Sequence, residues 1–355
     1  TATTDITDSY VGETDESGQI AIKAGQLTLK QAKQANSEGA EVYTLVSNGA
    51  ISLQTESVVD QGIRAYSHAD INLQTDDSLN ATGDWVAGSD SHTASITVTS
   101  GKQVNLTDAT LAASDDVTIT AQQGISTSNS RLQATGQLSI TSNGVTAAAP
   151  TNLDTSTLVA KDIAISSDHL KAGNTQVYAS NNINLGSTNL QDVGQWVAGN
   201  DLNVTLTDDI TINSDEYLAA TKLLNLQANT HNINNAGTLQ GNTIELSAST
   251  LTNTGEIAAT DLNATHQTQA DRSQSQPIHT LVHQGKLFIT DLDIALNTFT
   301  NTGGTVRGDS ITIDASNQLQ HQNTGTIFAS GQVNLSGGDL TLASTVSSDT
   351  GIDVK

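Results

Sequence analysis

Pairs of aliphatic residues separated by one position recur along this chain about every 20 residues, a spacing too short for any unit to bury its own apolar face. The clearest copies are Ile183/Leu185, Leu202/Val204, Leu224/Leu226, Ile244/Leu246, Leu287/Ile289, Ile311/Ile313 and Val333/Leu335, and a weaker one, Leu262/Ala264, falls inside the longest gap. Two-residue alternation selects strands, and units that small must stack on their neighbours. The spacing therefore predicts an all-β fold, a right-handed parallel β-helix (solenoid) with about 20 residues and three short strands per coil.

Composition agrees with that reading. Only 2 prolines interrupt 355 residues, 28 glycines punctuate them, and Thr, Ser, Asn and Gln fill the spaces between aliphatics, which suits short strands joined by tight polar turns. The 3% aromatic content is low for a globular core but fits a narrow interior filled by stacked aliphatic side chains. A net charge of −24 opposes phosphate backbones and anionic lipid heads, so neither nucleic acid nor direct membrane insertion is expected, and dispersed acids keep such a chain soluble as a monomer. No cysteine occurs, which suits export of an unfolded chain through an oxidising compartment, and the absence of methionine suggests a segment of a longer protein.

The chain reads as one continuous β-helix over 1–355. Residues 217–355 carry the regular repeat, and residues 1–216 carry looser coils with an internal duplication of about 60–110 in about 172–220. Asp84-Trp85-Val86-Ala87-Gly88 and Gln195-Trp196-Val197-Ala198-Gly199 are the most legible part of that echo. In the regular part an Asn-x-Gly step recurs at Asn235/Gly237, Asn253/Gly255, Asn301/Gly303 and Asn323/Gly325. Asn and Gly both tolerate left-handed backbone, so the step is expected to form a structural corner.

Three features are candidates for recognition. Trp85 and Trp196, the only tryptophans, sit in matching frames and could form an exposed patch or a packed corner. Arg307-Gly308-Asp309 spells an integrin-recognition tripeptide, although Gly308 also falls where other coils turn. The polar stretch from His266 to Gln284, with Arg272, His279 and His283, reads as an insertion that protrudes from its coil. Adjacent carboxylates such as Asp76-Asp77, Asp115-Asp116 and Asp208-Asp209 point to opposite faces of a strand and read as turn residues rather than acid/base pairs. No catalytic residue, metal ligand set or cofactor site is assigned, and the chain is not expected to be an enzyme.

The Asn-x-Gly-x-Ile/Leu-x-Ala/Gly-x-x-Leu/Ile-x-Leu/Ile unit resembles the haemagglutinin repeats of filamentous haemagglutinin and of the CdiA proteins of contact-dependent growth inhibition. The match is clearest over 217–355 and weaker over 50–216, and the chain lacks the Asn-Pro-Asn-type signatures of the family's secretion domain. The resemblance implies a filament segment of a large bacterial exoprotein, an adhesin or a growth-inhibition stalk, secreted to the cell surface through an outer-membrane two-partner-secretion transporter. Its implied partner is a protein or glycan receptor on a target cell or host. The alternatives are a dedicated receptor-binding module and a polysaccharide-processing β-helix.

Overall fold

The interior is made of ladders of aliphatic residues, each stacked on its counterpart in the coil before. In this computed structural model every regular element among the described residues is a strand, and the strands pair in parallel as a β-solenoid whose coils repeat about every 21 residues. The structure describes residues 3–7, 11–12, 18–30, 45–146, 148–268 and 271–355, with the backbone alone for 3–7, 11–12, 266–268 and 271–277. Contacts divide the chain into two compact units, Thr1–Ser180 and Asn181–Lys355.

Within the first unit three ladders run from coil to coil. The first stacks Ile51, Ile71, Ile96, Val117, Leu138 and Ile163, the second Val58, Leu79, Val104 and Ile125, and the third Ala65, Trp85, Leu111, Leu132, Leu158 and Val177. All are essentially fully buried. Each removes its side chain from water only because the next coil covers it, worth about 1.5–3 kcal/mol per fully buried aliphatic. Stability therefore resides in the stacking.

The second unit repeats the plan. Its first ladder runs Ile183, Leu202, Leu224, Ile244 and Leu262, and continues through Leu292, Ile311 and Val333 to Ile352. This corrects one expected copy. Leu287 pairs with Ile257 and Val306, so the doublet Leu287/Ile289 belongs to the third ladder, and Leu292/Ile294 takes the place beside Ile311/Ile313. The second ladder is Ile210, Ile233, Leu251, Leu281, Phe299, Leu319 and Leu340.

The long step in the first ladder, from Asp261 to its partner Asp291, is filled by a hairpin. Strand Glu256–Thr268 continues past its coil and Asp271–Pro277 returns against it, pairing Thr265 with Pro277 and His266 with Gln276. It is the one antiparallel pairing of named strands among the described residues. Because it leaves and re-enters at one place, the coils on either side keep their register.

The Asn-x-Gly corners are built differently from the expectation. Asn235, Asn253 and Asn301 are not in left-handed backbone; they point inward and are at most 1% exposed. Gly255 also has ordinary backbone, and is glycine because a Cβ there would lie 2.1 Å from the carbonyl oxygen of Gly237 in the preceding coil. Gly303 alone among these four glycines is left-handed, with φ +91°. The fourth corner is displaced: Asn301 pairs with His321, not with Asn323, and Asn323 is an exposed left-handed turn residue with φ +61°.

Candidate binding surface

The two tryptophans do not reach the surface. Trp85 and Trp196 are 0% exposed and occupy the inward position of the third ladder in their respective units, which removes both as receptor contacts. A polar indole nitrogen in an apolar interior requires a hydrogen-bond acceptor. Trp85 Nε1 donates to Asp60 Oδ2 at 3.0 Å, and the same carboxylate accepts from the backbone nitrogens of Ile63 at 2.9 Å and Gly83 at 3.1 Å. Burial pushes the Asp60 carboxyl up to about 6 despite these three donors. Asp60 is 2% exposed and held by the buried Trp85, which makes it a structural carboxylate of the interior.

In the second unit Trp196 Nε1 donates instead to the carbonyl of Val193, while Glu216 accepts from the backbone nitrogens of Val193 at 2.7 Å and Asn213 at 2.6 Å. The duplicated frames thus keep an inward tryptophan and a buried carboxylate nearby, joined by different hydrogen bonds.

His283 is likewise internal. It stands in a buried column of Asn235, Asn253, His283, Asn301 and His321, each two residues past a second-ladder aliphatic. Asn253 Nδ2 donates to the carbonyl of Lys286 at 3.1 Å, and the Nε2 atoms of His283 and His321 lie 3.0 Å from the carbonyls of Thr305 and Thr345. Asn235, Asn253, His283 and His321 each direct one N–H to the first carbonyl of a third-ladder strand, whereas Asn301 donates to the carbonyl of Gly304 in its own corner at 3.1 Å. Burial pushes the His283 imidazole down to about 4, with the Thr305 bond opposing and His321 adding to the shift. His283 is thus a neutral corner residue rather than a receptor contact. His279 is exposed, with Nε2 accepting from Asn297 Nδ2 at 3.0 Å, and the Arg272 side chain lies outside the described residues.

The remaining candidates lie on the surface. Asp76-Asp77, Asp115-Asp116 and Asp208-Asp209 all sit in bends between strands. Asp208, Asp209 and His231 bring three potential ligand atoms within 4.8 Å of one another, and the two carboxylates already tie neighbouring coils together: Asp209 accepts from the backbone nitrogen of Asn232 at 2.8 Å and Asp208 from Asn189 Nδ2 at 3.3 Å. Arg307 and Asp309 are exposed, and Gly308 lies between them where a Cβ would stand 2.2 Å from the carbonyl oxygen of Ile289. Asp309 faces away to accept from Ser330 Oγ at 2.8 Å.

Arg307 belongs to a larger arrangement on the outer face of the third ladder. Its neighbours in the adjoining coils are Phe288 and Phe328, and its guanidinium carbon lies 5.5 Å from the centre of the Phe328 ring. Outward phenylalanines follow from alternation, since Leu287 and Ile289 point inward around Phe288, and Ile327 and Ala329 around Phe328. Beside Phe288 the surface is recessed into a groove of about 570 Å³. It is lined by Ala219, Gln240 and Ala258, which follow one another in register along the outward row, together with Tyr217, Asn242 and Thr260. Tyr217 donates to Gln240 Oε1 at 2.6 Å and Thr260 to Asn242 Oδ1 at 3.0 Å, so both amides are oriented before anything binds. A second depression of about 320 Å³, lined by Phe288, Thr290, Arg307 and Gly308, lies on the other side of Phe288, beside the guanidinium.

This surface can hold a ligand by apolar contact, amide hydrogen bonds and one cation. Sequence reasoning reached Arg307 through a tripeptide but missed Phe288, Phe328, Tyr217 and Gln240. The available signal was an aromatic residue between two inward aliphatics in the coils on either side of Arg307. Comparison with protein-family descriptions, characterised proteins and solved structures returns no match.

Proposed function

We propose that this chain is a non-enzymatic segment of a filamentous bacterial surface exoprotein, secreted through an outer-membrane partner, that presents a receptor-binding face to another cell. The reading is carried by one observation. In the second unit stacked coils hold an outward face on which preset amides, Tyr217, Phe288 and Arg307 line two neighbouring depressions that share Phe288. The resemblance of residues 217–355 to haemagglutinin repeats supports the same reading, as does the net charge of −24, which suits a long-lived soluble surface.

The test is adhesion of the purified chain. Particles coated with it should be retained by target bacterial or host cells, and soluble chain should compete for that retention. Equal retention of particles coated with an unrelated acidic protein would overturn the reading, as would release of reducing ends from polysaccharides, which would mark an enzyme.

A further inference from the structure

We propose that the groove between Tyr217 and Phe288, together with the neighbouring depression beside Arg307, binds an oligosaccharide bearing a single carboxylate, such as a uronic or sialic acid, with the carboxylate on Arg307 and sugar rings against the aromatics. This deepens the reading of the chain as a receptor-binding face and rests on it.

The shape sets the length of the occupant. Tyr217 stands three coils before Lys286, through the pairs Tyr217–Thr238, Thr238–Glu256 and Glu256–Lys286, and Phe288 lies two residues further along, so the backbones that carry the two aromatics are about 16 Å apart at the usual strand spacing and rise. Ala219 and Ala258 flank Gln240 in the same outward row, so an occupant meets small side chains on either side of one amide held by Tyr217. Sugar rings carry C–H faces that pack on aromatic rings and hydroxyls that pair with amides, and the lining supplies both partners. An extended peptide would need backbone partners, yet the backbone of this face is already spent on the parallel pairs between coils.

The charge sets the chemistry. The Arg307 guanidinium carbon lies 5.5 Å from the centre of the Phe328 ring, and no carboxylate among the described residues forms an ion pair with it. The nearest basic residue on the same face, Lys286, is engaged with Glu256 at 3.3 Å. One planar guanidinium matches one planar carboxylate through two parallel hydrogen bonds. A polysulfated chain would need several cations and would be repelled by a protein of net charge −24, so the observations favour sparse carboxylates over dense sulfates.

The experiment uses an array of oligosaccharides carrying uronic or sialic acids, the corresponding methyl esters, neutral chains and sulfated chains, probed with the full chain. The expected result is retention of carboxylate-bearing members, at least tenfold weaker for their methyl esters. Arg307→Gln and Phe288→Ala should each reduce retention about tenfold, and Arg307→Lys should fall between, since lysine lacks the planar pair of donors. Phe288→Leu, which keeps apolar cover, serves as the folded control should Phe288→Ala lose its cooperative unfolding. No retained carboxylate-bearing member, equal binding of methyl esters, retention of sulfated chains alone, or indifference to both Arg307→Gln and Phe288→Ala would each overturn the proposal. Particle adhesion separates this from the broader reading: adhesion that survives both substitutions defeats the groove alone, and absence of adhesion by the unaltered chain defeats the receptor-binding role.

Discussion

Asparagine at 253 and histidine at 283 do the same work, since each sends an N–H from a buried corner to the first carbonyl of a strand in the next coil. His283→Asn should therefore cost roughly 1 kcal/mol or less, whereas His283→Ala leaves the Thr305 carbonyl unpaired and opens a void, costing about 2–4 kcal/mol in urea unfolding. The imidazole also makes the corner sensitive to acid. Its folded pKa of about 4 lies below the ordinary 6.5, so folding favours the neutral ring; the stabilisation is complete above 6.5 and is lost as pH falls toward 4. Between pH 7 and 4 the unaltered chain should lose up to about 3 kcal/mol more than His283→Asn. Equal losses would contradict the assignment. Asp60 works in the opposite direction, because its folded pKa of about 6 lies above 3.8; its contribution is greatest below 3.8 and fades as pH rises through 6. Trp85→Phe removes one of three donors to that carboxylate and should destabilise the first unit by about 1–3 kcal/mol at pH 7. Thermal unfolding at pH 7 measures it, and an unchanged midpoint would remove the indole bond from the account.

Strands and coils were legible in the sequence wherever inward aliphatics alternate, because only stacking can cover units of that length. What misled was local likeness. Leu287/Ile289 has the spelling of a first-ladder pair, yet three coils of pairing place it in the third ladder, and only the hairpin at 256–277 explains the shift. Asn323-Thr324-Gly325 repeats the letters of a corner, but the residue in register with Asn301 is His321, since burial follows Leu319-x-His321 rather than the tripeptide. The tryptophans were read from their conspicuousness, and neither burial nor the Asp60 bond is visible in a frame of five residues. The groove was illegible for a related reason: its walls are separated by 71 positions and meet only through stacking. The hairpin yields a direct expectation. Because Thr265 and Pro277 are antiparallel partners, replacing 266–276 by a two-residue turn should change stability by less than about 1 kcal/mol. A larger loss on urea unfolding would mean that the hairpin, and not the coils it leaves, holds the register. At the other extreme, strand Gly351–Val354 has a partner on one side only, and Ile352 and Val354 are 47% and 41% exposed. Its amides should exchange with solvent well before those of Ile311–Ile313, as mass spectrometry of deuterated peptides can read.

Across the whole molecule, each unit is held by the same device, a set of aliphatic ladders with polar residues admitted only where a corner carbonyl or an indole nitrogen needs a partner. Function then has only the outer faces on which to act, and the receptor-binding proposal concerns an outer face that combines aromatic side chains, oriented amides and an arginine with no ion pair among the described residues. All of this depends on register, because a one-residue slip would turn every ladder outward and remove both the corner column and the groove. The sequence contains no cysteine, so pairs of cysteines can be placed cleanly. Asn203 and Asn225 are outward partners in neighbouring coils of the second unit, as Thr97 and Thr118 are in the first, while Leu224 and Leu226 on either side of Asn225 face inward. Asn203→Cys with Asn225→Cys, and Thr97→Cys with Thr118→Cys, should form intrachain disulfides under mild oxidation without loss of cooperative unfolding. Failure of both pairs, or equally ready cross-linking of Asn203→Cys to a cysteine at 224 or 226, would contradict the stacked register.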